Sequence, residues 1–227
     1  AIEKQFKKLS NPYYKLLIGG GILSVLIFLF PPLYGEGYDT ITELINGSSQ
    51  NIILDNSLFY GHARFIMLYM LFIILFKAVA STVTNCGGGC GGIFAPSLFL
   101  GCVTGFLFAS VCNRLGIGVP VSDQNFALFG MAALMSGVFH APLTGVFLIA
   151  ELTGGYALFL PLMIVSVSSY LTVRVFDKNN IYAVRLAQRG ELITHHKDQA
   201  VLTILKVSDV IERNFMKIEP DMDLASL

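Results

Sequence analysis

The sequence predicts an all-α polytopic membrane protein with short, broken and tilted helices. Of its 227 residues, 54% are hydrophobic and 13% are charged, whereas an average soluble domain carries about 25% charged residues. The span from residue 65 to residue 173 contains only four charged side chains. These are too few to cover a surface that faces water, so the bilayer is the natural solvent for this span. Glycine and proline interrupt its apolar runs, and broken backbone at membrane depth is typical of proteins that bind ions.

The N-terminal part predicts two membrane helices separated by a polar turn. An apolar run at residues 16–33 has about the length that spans a bilayer. The leader before it contains four lysines, and the positive-inside rule predicts that this leader lies in the cytoplasm. A short helix is expected from about Asp39 to Ile45. The second run, from about residue 59 to residue 83, contains Lys77. We expect Lys77 to face protein or water rather than lipid, and a role in an ion path is the alternative.

The segment NCGGGCGGIFAP at residues 85–96 contains five glycines between two apolar runs. Glycine lets several consecutive N–H groups turn toward one point. A helix is predicted to begin near Phe94 with Pro96 in its first turn, where the N–H groups have no intrahelical partner and carry the positive end of the helix dipole. The pattern predicts an anion site without a full charge, and close packing of the glycines is the alternative. The segment does not match a phosphate-binding loop, because no Gly-Lys-Ser/Thr follows the glycines. It does not match a dinucleotide-binding fingerprint either, because no predicted strand precedes it.

The rest of the hydrophobic part is predicted to contain four further helices, followed by an amphipathic one. They cover residues 93–112, 126–139, 141–152, 156–176 and 181–189. The first carries Gly101 and Gly105 at a small-xxx-small spacing that lets helices approach closely. The second and third are too short to span a bilayer alone. The polar residues at the end predict a cytoplasmic tail.

Other classes of protein fit the sequence less well. The net charge is zero and no basic block occurs, so no nucleic-acid partner is expected. The four cysteines, Cys86, Cys90, Cys102 and Cys112, predict neither a disulfide nor a metal site, because no second pair of ligands accompanies them. The four histidines are scattered, which argues against a polytopic membrane enzyme. The chain opens without Met, and we expect it to be a piece of a longer protein.

Four stretches together resemble the CLC family of chloride channels and chloride/proton antiporters. GGIFAP at residues 91–96 resembles the third signature segment of that family, and PPLYGEGYDTI, APLTGVFLIAELTGGYALFLPLMIVS and IYAVRLAQR agree in order and spacing. The resemblance assigns residues 1–190 to the C-terminal half of a CLC transmembrane domain, which is one half of an inverted repeat. Residues 191–200 are then a linker. Residues 201–227 resemble the truncated start of an α/β CBS domain, a cytoplasmic regulatory module whose complete form is a candidate nucleotide site.

The resemblance implies an anion site made of backbone amides and one hydroxyl. The selectivity-filter motif falls on Gly92, Ile93, Phe94, Ala95 and Pro96. Within it, the amides of Ile93 and Phe94 are expected to hold chloride as the bound substrate ion. Tyr182 matches a tyrosine whose O–H completes the inner side of the site and can donate to an anion without adding charge. Without the family, an interfacial role would be the default for this tyrosine. No catalytic residue, metal or cofactor is implied.

The resemblance also implies a homodimer with a separate anion pathway in each subunit. The interface is expected on the helices at residues 141–152 and 156–171. Leu143, Tyr156 and Phe159 are the candidates for facing the partner.

The sequence leaves the choice between channel and proton-coupled exchanger open. In the family, a serine-bearing GSGxP segment and a GKxGP segment with the gating glutamate belong to the N-terminal half, and neither occurs here. Protons are therefore an open second substrate, and an ion-coupled secondary transporter of another family is the alternative interpretation. Glu151 is expected to have a structural role rather than to relay protons. His140 is expected to be packed or interfacial rather than a pH sensor.

Overall fold

The computed structural model describes residues 2–48, 66–116, 118–189 and 211, and every regular element in these ranges is helical. The α-helices are α1 (Ile2–Lys7), α2 (Pro12–Leu29), α3 (Tyr38–Ile45), α4 (Ile66–Cys86), α5 (Phe94–Leu115), α6 (Asp123–Phe139), α7 (Pro142–Leu152), α8 (Phe159–Phe176) and α9 (Ile181–Arg189). A 3-10 turn at Pro31–Leu33 follows α2. Ala1–Asn180 forms one compact unit, and a second unit begins at Ile181.

Four helices in the described part are long and apolar enough to cross a membrane: α2, α4, α5 and the helix that begins at Phe159. α7 is apolar but has only 11 residues, which is about 16 Å of helix. Half of the hydrophobic window of α5 is buried inside the protein, against 6% for α2. The predicted polytopic membrane protein with short helices is confirmed, and α5 is the most buried of its four long helices.

α5 and α6 pack with their backbones in contact. A Cβ atom added at Gly101, Gly105 or Gly130 would collide with a backbone carbonyl of the facing helix. Such close approach through small residues is typical of helix pairs in membranes, so the predicted role of the first two glycines is confirmed. α8 packs on α6 as well, where the hydroxyl of Ser169 donates to the carbonyl of Ala133 at 2.6 Å.

The core lies between α3, α4, α5 and α6. Leu44, Ile73, Phe99 and Ala132 are fully buried in it. Lys77 is also buried, with 2% of its surface exposed, so the prediction that it faces protein rather than lipid is confirmed. A buried ammonium group needs polar partners, and those partners lie in the turn after α2.

Several predicted helix boundaries differ from the structure. The run predicted at residues 16–33 forms a helix at Pro12–Leu29, and the helix predicted to end at residue 112 continues to Leu115. The helix expected at residues 156–171 begins only at Phe159, and Tyr156 lies in the loop before it. α6 begins at Asp123, three residues before the apolar run that predicted it. The cause is Ser122, whose hydroxyl accepts a hydrogen bond from a backbone N–H three residues further on at 3.3 Å and so caps the helix.

Three predictions fall outside the described residues. They are the start of the second membrane helix near residue 59, the linker at residues 191–200, and the CBS start at residues 201–227 except for Ile211. All three stay predictions.

Candidate anion-binding site

The glycine-rich turn between α4 and α5 begins by closing α4. The N–H of Gly87 donates to the Val83 carbonyl at 2.7 Å, and the N–H of Gly89 donates to the Thr84 carbonyl at 2.9 Å. Gly88 between them has a φ of +103°, a backbone conformation that favours glycine. The first glycines of the turn are therefore explained by local geometry.

Close packing explains some glycines of this region and not others. A Cβ atom at Gly19 on α2 would lie 3.2 Å from the Cα atom of Gly87, and one at Gly89 would lie 2.9 Å from the Thr84 carbonyl oxygen. Among the described residues, a Cβ atom at Gly92 would meet nothing within 4 Å. The packing alternative thus accounts for the first part of the turn but leaves the part next to α5 unexplained.

α5 begins at Phe94, as predicted, and no side chain in the described part of the protein caps it. The carbonyl of Ile93 accepts hydrogen bonds from the N–H of Ser97 at 3.1 Å and from its hydroxyl at 2.7 Å. Pro96 has no N–H to offer. Within the described ranges, no group accepts a hydrogen bond from the N–H of Ile93 or Phe94. Two donors therefore remain at the positive end of the α5 dipole.

A cavity of about 530 Å³ lies at the start of α5. Its lining includes Gly92 and Phe94 from the α5 side, Lys77 from α4, and Glu36 from the turn after α2. Small-molecule sites commonly have volumes of about 300–1,000 Å³, so this one has ample room for a halide ion and its remaining waters.

Lys77 enters the wall of this cavity as a buried cation. Its Nζ atom donates to the Gly35 carbonyl at 2.9 Å and to the Leu33 carbonyl at 3.3 Å. It also lies 4.6 Å from the centroid of the Phe99 ring. Carbonyl oxygens and an aromatic face are partners that stabilise a desolvated ammonium group. With these three partners, Lys77 is committed to the protein rather than to a ligand.

Glu36 is a residue of this cavity that the sequence analysis did not single out. It lies between Gly35 and Gly37, whose φ angles are +61° and +86°, and a Cβ atom at Gly37 would collide with the Phe99 ring. The available signal was the triplet Gly-Glu-Gly, since an acid between two glycines indicates a sharp turn that presents the acid.

α3 adds further acidic groups to a neighbouring cavity of about 630 Å³, which Glu36, Asp39 and Glu43 line. Burial raises the pKa of Glu43 above its usual value of 4.5, and the charge of Asp39 raises it further. Glu36 lines both cavities. Glu36 is therefore an acid that lies next to both the acidic residues of α3 and the buried Lys77.

The other predicted residues lie on exposed or peripheral positions. Tyr182 lies in α9, in the second unit, with 51% of its surface exposed, and its role at the anion site stays a prediction. Leu143 on α7 and Tyr156 in the following loop are exposed, whereas Phe159 is half-buried. His140 packs edge-on against a tyrosine ring of α8 at 5.6 Å between centroids, so the prediction that it is packed is confirmed.

The four cysteines are free thiols. Cys102 is buried in α5, whereas Cys90 is exposed in the glycine-rich turn. Among the described residues, no group of three His, Cys, Asp or Glu side chains is arranged to hold a metal ion.

A helix N-terminus that presents unpaired amides to a cavity, within a set of membrane helices, is typical of the ion sites of membrane transport proteins. Residues 1–174 match the family model described as voltage gated chloride channel. The chain belongs to this family, as the resemblance of its motifs predicted, and it is an integral membrane protein.

Curated relatives of the chain include both named types of this family. The H(+)/Cl(−) exchange transporter ClcA of Vibrio vulnificus is 32% identical over 165 residues, which are 72% of this chain and 32% of that protein. The voltage-gated ClC-type chloride channel ClcB of Escherichia coli is 28% identical over 182 residues, 79% of this chain and 39% of that protein. A ClcB-like protein of Ralstonia nicotianae is 29% identical over 177 residues, 78% of this chain and 38% of that protein. The chain thus spans between about a third and two fifths of the length of these relatives.

Proposed function

We propose that the complete protein moves chloride across a membrane, as a channel or as a chloride/proton antiporter. The observation that carries the proposal is the start of α5. There, the N–H groups of Ile93 and Phe94 have no acceptor among the described residues, and Phe94 lines the cavity. Family membership supports the same substrate, as do the names of relatives that include an exchange transporter and a chloride channel.

Each of the five residues of the motif has its own role in the proposed anion site. Gly92 leaves space in front of the helix, and Ile93 and Phe94 supply the N–H donors. Buried Ala95 packs into the protein, and Pro96 lies in the first turn of the helix without an N–H of its own. Each donor carries only a partial charge. The ion is therefore held strongly enough to enter and weakly enough to leave, which conduction requires.

The hydroxyl of Tyr182 is the third proposed ligand. A phenol O–H donates a hydrogen bond without adding charge, so all three ligands of the ion are neutral. The binding energy then comes from dipoles, and the charge of the ion is balanced by more distant groups of the protein.

Protons are the proposed second substrate of the exchanger form. The relatives include an exchange transporter and a channel at similar identity, so both forms are retained. An ion-coupled transporter of another family is set aside by the family membership of the chain. Exposed Glu151 on α7 has a structural role in this proposal. A proton flux lost on Glu151→Gln in the complete protein would contradict that role.

The proposed homodimer uses α7, the loop after it and α8, at residues 141–152 and 156–171. Leu143 and Tyr156 are exposed, and the ring of Phe159 contacts those of Phe147 and Tyr156 at 5.6 and 5.8 Å between centroids. An exposed apolar surface of this kind fits a second copy of the chain as well as lipid. The two differ in the mass of the protein in detergent: a monomeric mass would exclude the dimer.

The proposed tail is cytoplasmic and leads through a linker at residues 191–200 into a CBS domain that starts at residue 201. A nucleotide is the proposed ligand of that domain when it is complete. Isothermal titration of the complete protein with ATP tests this directly, and an absence of binding heat would remove the nucleotide.

Chloride efflux from liposomes that contain the complete protein tests the main proposal. Efflux is expected without any permeant cation other than an independent shunt such as valinomycin with potassium. Proton movement opposite to chloride would identify the exchanger, and its absence the channel. An efflux that needs sodium as a co-substrate would contradict the proposal.

A further inference from the structure

Lys77 is a buried charge in the wall of the cavity at the anion site, and the proposed ligand set leaves it out. We infer that Lys77 is a positioning residue of the anion pathway. It fixes the turn at residues 33–37 as one wall of the cavity and supplies positive potential to that cavity without touching the ion. The inference rests on the proposed chloride transport and adds a residue that determines how tightly the ion binds.

The first argument concerns the backbone of the turn at residues 33–37. Carbonyl oxygens carry the negative ends of peptide dipoles, and carbonyls that faced the cavity would repel an anion. The Nζ atom of Lys77 donates hydrogen bonds to two of these carbonyls, those of Leu33 and Gly35, at 3.3 and 2.9 Å. Both oxygens therefore point at the lysine rather than at the ion.

The second argument concerns how firmly the turn is held. Gly37 has a φ of +86° and abuts the Phe99 ring so closely that no side chain fits, and Nζ of Lys77 lies 4.6 Å from the centroid of the same ring. The turn is thus set between Lys77 and Phe99. Loss of the ammonium group would therefore free the turn at residues 33–37 to move and would also remove a positive charge from the cavity.

The third argument concerns the sign of the potential. Lys77 and Glu36 line the same cavity, and Glu36 is exposed whereas Lys77 is buried. A charge in a protein interior is screened less than a charge that water surrounds. The lysine therefore dominates the cavity, and the glutamate opposes it.

The experiment compares Lys77→Met, Lys77→Arg and Glu36→Gln in the complete protein. Chloride affinity is measured by isothermal titration, and chloride efflux is measured in liposomes. A unit charge at cavity range changes a binding constant by about tenfold at an effective dielectric constant of about 20. We expect Lys77→Met to weaken chloride binding about tenfold, Lys77→Arg to stay within about threefold of the unmodified protein, and Glu36→Gln to tighten binding. Lys178→Met is the matched control, because it removes the same charge from an exposed position after α8.

Opposite effects of Lys77→Met and Glu36→Gln distinguish this role from a purely structural one, which would weaken binding in both. Unchanged affinity in Lys77→Met, or weaker binding in Glu36→Gln, would overturn the inference. If Lys77→Met fails to fold, Glu36→Gln still decides, since unchanged or weaker binding there removes the electrostatic role. An unmodified protein that neither binds nor moves chloride would instead overturn the proposed function. Normal transport with no response to these substitutions would overturn only the role of Lys77.

Discussion

Three glycines at a helix contact and one glycine at the cavity have opposite surroundings in this molecule. Gly101, Gly105 and Gly130 lie where the backbones of α5 and α6 touch, and a side chain at any of them would collide with a carbonyl. Gly92 lies at the cavity in front of α5, and a side chain there would meet open space. The first three glycines let two helices approach, whereas Gly92, in the proposed function, keeps backbone amides accessible. The same residue type therefore supports the fold in one region and the proposed anion site in the other.

The substitution Gly130→Val gives the largest expected effect. The added side chain would collide with the Gly101 carbonyl at the contact of α5 and α6, and neither backbone can move away without separating the two helices. Overpacking typically costs about 1–3 kcal/mol, and more where the collision is with backbone, so we expect loss of the folded protein or a fall in Tm of several degrees. Size-exclusion chromatography and thermal unfolding in detergent measure this. An unchanged Tm would contradict the close contact.

The same change at the other region, Gly92→Val, is expected to leave the fold intact and to damage transport. Its Cβ atom would meet no atom of the described residues within 4 Å, next to the cavity that Gly92 lines, so Tm should stay within about 2 °C of the unmodified protein. Chloride affinity should fall about tenfold, equivalent to about 1.4 kcal/mol of binding, because the side chain occupies space in front of the amides. Titration and efflux measure it. Normal chloride affinity together with a lowered Tm would show that Gly92 supports the fold rather than the anion site, and would contradict this assignment.

The contribution of a side-chain ligand is expected to be smaller than that of the blocked backbone site. Tyr182→Phe removes one neutral donor, and a hydrogen bond of this type contributes about 1 kcal/mol, so chloride affinity should fall about fivefold at unchanged Tm. Tyr13→Phe is the matched control, because Tyr13 is exposed on α2. Equal affinities for Tyr182→Phe and the control would remove Tyr182 from the site.

The smallest expected effect concerns Glu43 on α3, which belongs neither to the contact of α5 and α6 nor to the cavity in front of α5. Its pKa is raised in the folded protein by burial and by Asp39, so the folded state favours the protonated form. The contribution of Glu43 to stability is fully present below its usual pKa of 4.5 and is lost as the pH rises through the raised value. Glu43→Gln should therefore raise Tm by about 1 °C at pH 7 and leave it unchanged at pH 4. A lower Tm at pH 7 would contradict this sign.

The sequence predicted those features that depend on neighbours along the chain. The start of α5 follows from glycines before a helix with Pro96 in its first turn, and the structure begins that helix at Phe94. The short α7 follows from the proline at its start and the two glycines shortly after its end. The burial of Lys77 follows from the cost of a lone charge in hydrocarbon, and the structure confirms it.

The features that the sequence missed depend on contacts between distant positions. Lys77 and its carbonyl partners are 42 and 44 residues apart, and no local pattern specifies which backbone groups a buried lysine will find. The place of Glu36 at the same cavity was missed for the same reason. The start of α8 was predicted three residues too early, at Tyr156, because the aromatic and apolar residues at the end of the preceding loop resemble the helix that follows.

A crystal of the complete protein soaked in bromide gives the most direct test of the central claim, that neutral amides at the start of α5 hold the ion. We expect an anomalous peak beside the backbone nitrogens of Ile93 and Phe94, with the Lys77 ammonium still bonded to its two carbonyls. A bromide bound to the Lys77 ammonium instead, with no peak at the two amides, would contradict the claim.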